Sequence, residues 1–210
     1  MLTLRSIQIF SAGNPLFPPL SLDIAAGEIA SIMGPSGCGK STLMSAICGN
    51  LANVFTLSGD VLLNDRSVLT LPMENRRIGI LFQDDLLFPH MSIAENLAFA
   101  LPRELDRKKR KARIEDALEK ADLPGFAKRD PATLSGGQRA RVSLLRSLLA
   151  EPEALLLDEP FSKLDQALKD QIRVFVFETI RRMNIPALLV SHDHRDCPPG
   201  QVINLANGRT

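Results

Sequence analysis

The 210-residue sequence has no tryptophan and no tyrosine. Stacking on a flat ligand therefore falls to phenylalanine, which offers a π-face but no hydroxyl. Cysteine is sparse. Cys38, Cys48 and Cys197 have no metal-binding spacing, and an odd number cannot form a fully paired disulfide framework, which suits a reducing compartment. Net charge is almost absent: 25 basic against 24 acidic residues leave +1, so no general attraction to nucleic acid or anionic membrane is implied. No apolar run approaches the ~18 residues needed to span a bilayer. The opening "MLTLRSIQIF" lacks the basic region, apolar run and cleavage site of a signal peptide. The expectation is a soluble chain whose membrane role, if it has one, requires a partner.

What is present is ordinary globular composition, 45% hydrophobic and 23% charged, at a length that suits one domain or a domain with a subdomain. "LTLRSIQIF" reads as a strand, and "GDVLLNDRSV" as a hairpin turning at Asn64-Asp65. "EIASIM" and "RIGILFQ" are further strands. "ALLLD" and "ALLVS" are continuous apolar runs, typical of parallel strands covered on both faces. Between "RIGILFQ" and "ALLLD", Ile114, Ala117, Leu118 and Ala121 share one face of a helix that Asp106 can cap. Val142, Leu145 and Leu149 repeat that spacing on the next helix. Alternating strands and helices predict an α/β fold with a mostly parallel sheet. Residues 1–87 and 152–210 would form its core and 88–151 a helical subdomain.

Residues 34–42, "GPSGCGKST", fit the phosphate-loop pattern G-x-x-x-x-G-K-[ST], placed after a strand and before a helix. Glycines at 34, 37 and 39 let backbone N–H groups approach phosphate closely, and Pro35, Ser36 and Cys38 complete the loop. Lys40 can reach the β- and γ-phosphates of a nucleotide. Ser41 offers a hydroxyl to Mg²⁺, and Thr42 can reach the α-phosphate side. The chemistry predicts a nucleotide bound with Mg²⁺. A thiol at Cys38, inside this electropositive loop, is a candidate for reactivity. The acidic pair in "LLLDEP" follows a buried strand, where ligands of open parallel sheets bind. Asp158 can hold Mg²⁺ there, and Glu159 can polarise an attacking water.

A second helix start carries the same affinity. In "TLSGGQRA", Ser135 and Gln138 have capping-box spacing, yet Gly136 and Gly137 occupy the weakly helical first turn, where they would let a phosphate approach. With the phosphate loop, "LSGGQ" (Leu134 to Gln138) and "LLLDEP" in this order, nearly the whole chain resembles the ATP-binding subunits of ABC transporters.

That resemblance implies a P-loop NTPase core with an N-terminal antiparallel β subdomain, and a helical subdomain carrying the signature. It implies that Gln83 in "LFQDD" contacts Mg²⁺ and the attacking water, that Glu159 is the catalytic base, and that His192 in "LLVSHD" contacts the γ-phosphate. Asp165 in "SKLD" would belong to a loop at a dimer interface. The signature would meet ATP held by a second copy, arranged head to tail. "LFQDDLLFPHMSIAENLAFAL" looks like importer-type ATPases, similar in short form to those for thiamine and other small solutes. The implied partners are a second ATPase subunit, integral membrane permease subunits and an extracytoplasmic solute-binding protein, with no nucleic acid. The implied location is the cytoplasmic face of the inner cell membrane.

Three features depart from that pattern. The family's adenine-stacking aromatic, often a tyrosine, must here be a phenylalanine, with Phe10 best placed and Phe17 the alternative. Lys163 replaces the usual small residue of the interface loop. It could pair with an acid across the interface or alter subunit communication. Pro198 and Pro199 would stop the helix expected after His192. The basic run from Arg103 to Arg113 lacks aromatics for base stacking and reads as a solvated helix face.

Overall fold

A computed structural model describes residues 1–206. In chain order it has strands β1 (Leu2–Ser11), β2 (Asn14–Pro15), β3 (Leu20–Ile24) and β4 (Ile29–Met33), then helix α1 (Lys40–Cys48). Strands β5 (Phe55–Leu63), β6 (Arg66–Ser67) and β7 (Ile78–Leu81) follow. Helices α2 (Ile93–Ala100), α3 (Arg107–Lys120) and α4 (Gly136–Leu149) come next. The chain closes with β8 (Ala154–Asp158), α5 (Gln166–Met183), β9 (Ala187–Val190) and β10 (Val202–Asn204).

These elements divide into two compact units. The first holds Met1–Ile80, Glu153–Glu159 and the described residues from Phe177 to Ala206. Its antiparallel sheet has the order β2-β1-β5-β6, with β3 also paired to β1. The hairpin β5–β6 turns where expected: Asn64 and Asp65 have φ of 51° and 63°. Left-handed backbone at both turn positions is the geometry whose twist matches the flanking strands. The second sheet has the order β10-β4-β9-β8-β7. Its β4 runs parallel to both neighbours and is buried throughout, which is why "IASIM" carries no polar alternation. Both sheets and α1 share one core, including Leu4, Ile9, Ile32, Leu43, Ile47, Leu156 and Leu188. After β9 the chain makes only a three-residue turn, His194–Asp196, before Pro198 and Pro199. The last part of the "PPGQVINLANGRT" segment, 207–210, lies outside the described residues.

The second unit holds Leu81–Pro152 and Pro160–Val176. Its core is formed by Ile93 and Leu97 of α2, Ile114 and Leu118 of α3, and Val142 and Leu145 of α4. All three helices start on a side-chain cap. The Asp106 carboxylate accepts from Lys109 N–H at 2.8 Å, while Ser92 with Glu95 and Ser135 with Gln138 form capping boxes. The unit begins at Leu81, earlier than the 88 expected from sequence, because α4 grips the segment after β7. Ser143 Oγ donates to the Asp85 carbonyl at 2.9 Å and Arg146 to the Leu86 carbonyl at 2.7 Å. No described helix is long and apolar enough to cross a membrane.

Candidate functional site

The phosphate loop joins β4 to α1. Gly39 takes the N-cap position of α1 at φ 97°, and a Cβ there would lie 3.0 Å from the Phe17 ring. Only glycine combines that left-handed backbone with so close a neighbour. Lys40, 6% exposed, folds its ammonium back over the loop and donates to the carbonyls of Gly34 (2.7 Å) and Pro35 (2.9 Å). Those two bonds offset the cost of burying the charge. A cavity of about 330 Å³ opens against the loop. Ser36, Gly37, Gly39, Lys40, Ser41 and Thr42 form one side of it, with Glu159, Leu16 and Phe55. Gly34, Pro35 and Cys38 are not in its wall. Cys38 packs against the core, its Sγ 2.7 Å from where a Gly34 Cβ would sit.

The acidic pair is held by the sheet. Asp158 ends β8 in register with Val190 of β9, and Glu159 N–H donates to the Val190 carbonyl at 2.9 Å. Glu159 sits at φ 47°, a left-handed conformation that costs a non-glycine residue about 1–3 kcal/mol. Its Oε2 lies 3.2 Å from His192 Nδ1. Burial, and then the Glu159 charge, push the Asp158 carboxyl above its usual range, against the opposing effect of Lys40. One unit therefore unites the loop lysine, the loop hydroxyls, the acidic pair and the histidine.

The other unit carries Gln83, the signature residues and Asp165, while Phe10 and Phe17 lie in the first. The Ser135 and Gln138 side chains satisfy each other's backbone N–H groups (3.3 and 3.0 Å). Gly136 and Gly137 are left presenting theirs at the start of α4. Gly137 has a second reason to be glycine: a Cβ would lie 2.5 Å from Leu168 Cδ1 and 3.2 Å from its Cγ. Asp165 accepts from Leu168 N–H at 3.0 Å and so caps α5. Lys163 pairs with Asp84 of its own chain, next to the exposed Gln83. This pair is solvent-exposed on both sides, which limits it to about 0–1 kcal/mol.

The sequence profile of the family described as "ABC transporter" matches residues 17–162. The chain belongs to the ABC transporter family. The ABC transporter ATP-binding protein YnjD of Escherichia coli (strain K12) is 48% identical, over 94% of this chain and 91% of its own length. The sn-glycerol-3-phosphate import ATP-binding protein UgpC of Bordetella pertussis is 40% identical, over 91% of this chain and 53% of its own. The spermidine/putrescine import ATP-binding protein PotA of Thermotoga maritima is 38% identical over 92% and 52%. The chain thus spans about half the length of these relatives named for import. The family and the α/β sheet architecture expected from sequence are both found.

In this ABC ATP-binding protein some residues around the site gave no sequence signal. Arg76, 7% exposed, donates to the Ala46 and Ile47 carbonyls at the end of α1 (both 2.8 Å) and to Leu69 and Leu71 (3.0 and 2.9 Å). It places a cation at the C-terminus of the helix that starts at Lys40. Arg139 donates to the Leu134 carbonyl of the signature at 2.6 Å and pairs with the Asp85 carboxylate at 3.4 Å. Burial raises the Asp85 carboxyl despite that partner. Phe55 and Leu16 in the cavity wall were likewise not foreseen. Hydrophobic periodicity and motif spacing do not report which carbonyl a guanidinium reaches, whether five residues away (Leu134, Leu71) or thirty (Ala46).

Proposed function

We propose that the chain is the Mg-ATP-hydrolysing subunit of an importer, acting as a pair of copies beneath membrane permease subunits. A solute-binding protein outside the membrane would deliver the solute. The observation that carries this reading is the Glu159–His192 pair (3.2 Å) beside the cavity of the phosphate loop. Importer relatives such as UgpC and PotA support the direction of transport. Their solutes differ, so neither these nor thiamine is assigned here.

In this mechanism Lys40 exchanges its bonds to the Gly34 and Pro35 carbonyls for oxygens of the β- and γ-phosphates. As the water oxygen bonds to the γ-phosphorus and the bond to the oxygen of the leaving ADP breaks, Glu159 would accept the water's proton, and His192 would hold a γ-phosphate oxygen and orient Glu159. Gln83 would contact the metal and the water and report on them toward the permease. The donor set fits Mg²⁺: Ser41 presents a hydroxyl in the cavity wall and Asp158 a carboxyl at the strand end. Among the described residues no group of three or more acids, histidines or cysteines could cage a metal. Mg²⁺ commonly shares its ligands with phosphate and water in this way. When bound, it neutralises charge on the transferring phosphoryl oxygens.

Ser135, Gly136 and Gly137 would complete the site of the second copy, their N–H groups meeting its γ-phosphate. Asp165, besides capping α5, would lie in the loop facing that copy. The location would be the cytoplasmic face of the inner membrane. Ser135→Arg tests the two-chain site. It should leave ATP binding by the single chain intact and lower hydrolysis by at least about hundredfold. Hydrolysis at the normal rate would refute a signature that acts in trans.

A further inference from the structure

We infer that Phe55, with Leu16 beside it, is the platform on which the nucleotide base rests, and that it reads a purine by its face alone. The inference rests on the proposed nucleotide site and names its base-recognition residues. The cavity has two chemical ends. Lys40, Ser41, Thr42, Ser36 and Glu159 make it polar, while Leu16 and Phe55 are its apolar side chains. A nucleoside triphosphate has the same division. With its phosphates on the Lys40 loop, the flat and largely apolar base matches the Leu16–Phe55 end.

Strand register decides which phenylalanine serves. In the β1–β5 pair Ser11 lies opposite Phe55, and Phe10 opposite Thr56. Opposed residues share a sheet face and successive residues alternate. Phe55 therefore projects on the face of Ser11, and Phe10 on the other. Phe55 packs partly against the core beneath the phosphate loop and keeps part of its ring accessible. Phe10 does not line the cavity. Phe17, 3% exposed, is buried with its ring against Gly39. The aromatic expected at the end of β1 has thus moved across the ladder to β5, where a serine opposite leaves room above it. Both wall residues are fixed by backbone bonds, Leu16 N–H to the Ile9 carbonyl (2.8 Å) and Phe55 N–H to the Ala52 carbonyl (3.0 Å).

Neither side chain at this end offers a hydrogen bond. Strong discrimination between similar ligands needs buried polar partners that the wrong ligand leaves unpaired. ATP and GTP should therefore bind within about threefold of each other, a difference well under the tenfold that corresponds to ~1.4 kcal/mol.

The test is calorimetric binding of ATP, GTP and inorganic tripolyphosphate, each with Mg²⁺, to the full chain and to Phe55→Ala, Phe55→Leu and Phe10→Ala. Losing the stack should weaken ATP and GTP about tenfold in Phe55→Ala and leave tripolyphosphate affinity unchanged. Phe55→Leu, which keeps most of the core packing, should show the same pattern in weaker form. Three results would overturn the platform: unchanged ATP binding in both Phe55 variants, an equal loss of tripolyphosphate, or a loss confined to Phe10→Ala. An unmodified chain that binds neither ATP nor tripolyphosphate would instead overturn the nucleotide reading itself, and the platform with it.

Discussion

Asp158 and Glu159 are chain neighbours with different surroundings. Glu159 reaches His192 from a left-handed backbone, whereas the half-buried Asp158 is pushed up by desolvation and by the Glu159 charge. As pH rises from the ordinary carboxylate range through the raised value, the unfolded chain gives up its proton first. The folded protein loses stability across that window, so ionised Asp158 is a cost to the nucleotide-free fold. Asp158→Asn removes that cost. The melting temperature of the nucleotide-free protein at pH 7.5 should rise, while ATP hydrolysis falls by roughly hundredfold or more. A lower melting temperature, or normal turnover, would contradict this account of the pair.

At the scale of elements, α1 is held at both ends. Its start emerges from the phosphate loop, and its end is tied by Arg76, with Gly49 in the left-handed region at φ 94°. A Cβ on Gly49 would lie 2.7 Å from Arg76 Nε, so the guanidinium and the glycine require each other. Arg76→Met should destabilise the fold by about 2–4 kcal/mol in urea titrations, since it strands several buried carbonyls. Less than about 0.5 kcal/mol would show that water replaces the guanidinium. The elements also show what was readable in advance. The hairpin at Asn64-Asp65, the Asp106 cap and the Ser135–Gln138 box are encoded within four residues, and all are found. Arg76 beneath α1, Leu168 against Gly137, and Phe55 opposite Ser11 depend on tertiary packing and strand register, which no local pattern reports. Gly137 is instructive. Its sequence context suggested room for a phosphate, and its packing against Leu168 is an independent demand for the same residue.

For the whole molecule, the family and the α/β architecture were legible because the phosphate loop, the signature and the acidic strand occur in a fixed order along the chain. The division of labour was less legible. Lys40, Glu159 and His192 belong to one compact unit, and Gln83, the signature and Asp165 to the other. Within the single chain Lys163 pairs with the exposed Asp84. The central claim is that two such chains close on ATP, each phosphate loop facing the other's signature. The direct measurement is the molar mass, by light scattering, of Glu159→Gln with ATP. With the proposed base removed, ATP should persist and the closed pair should accumulate, giving twice the single-chain mass with ATP and the single-chain mass without it. A variant that binds ATP yet stays at the single-chain mass would contradict the account.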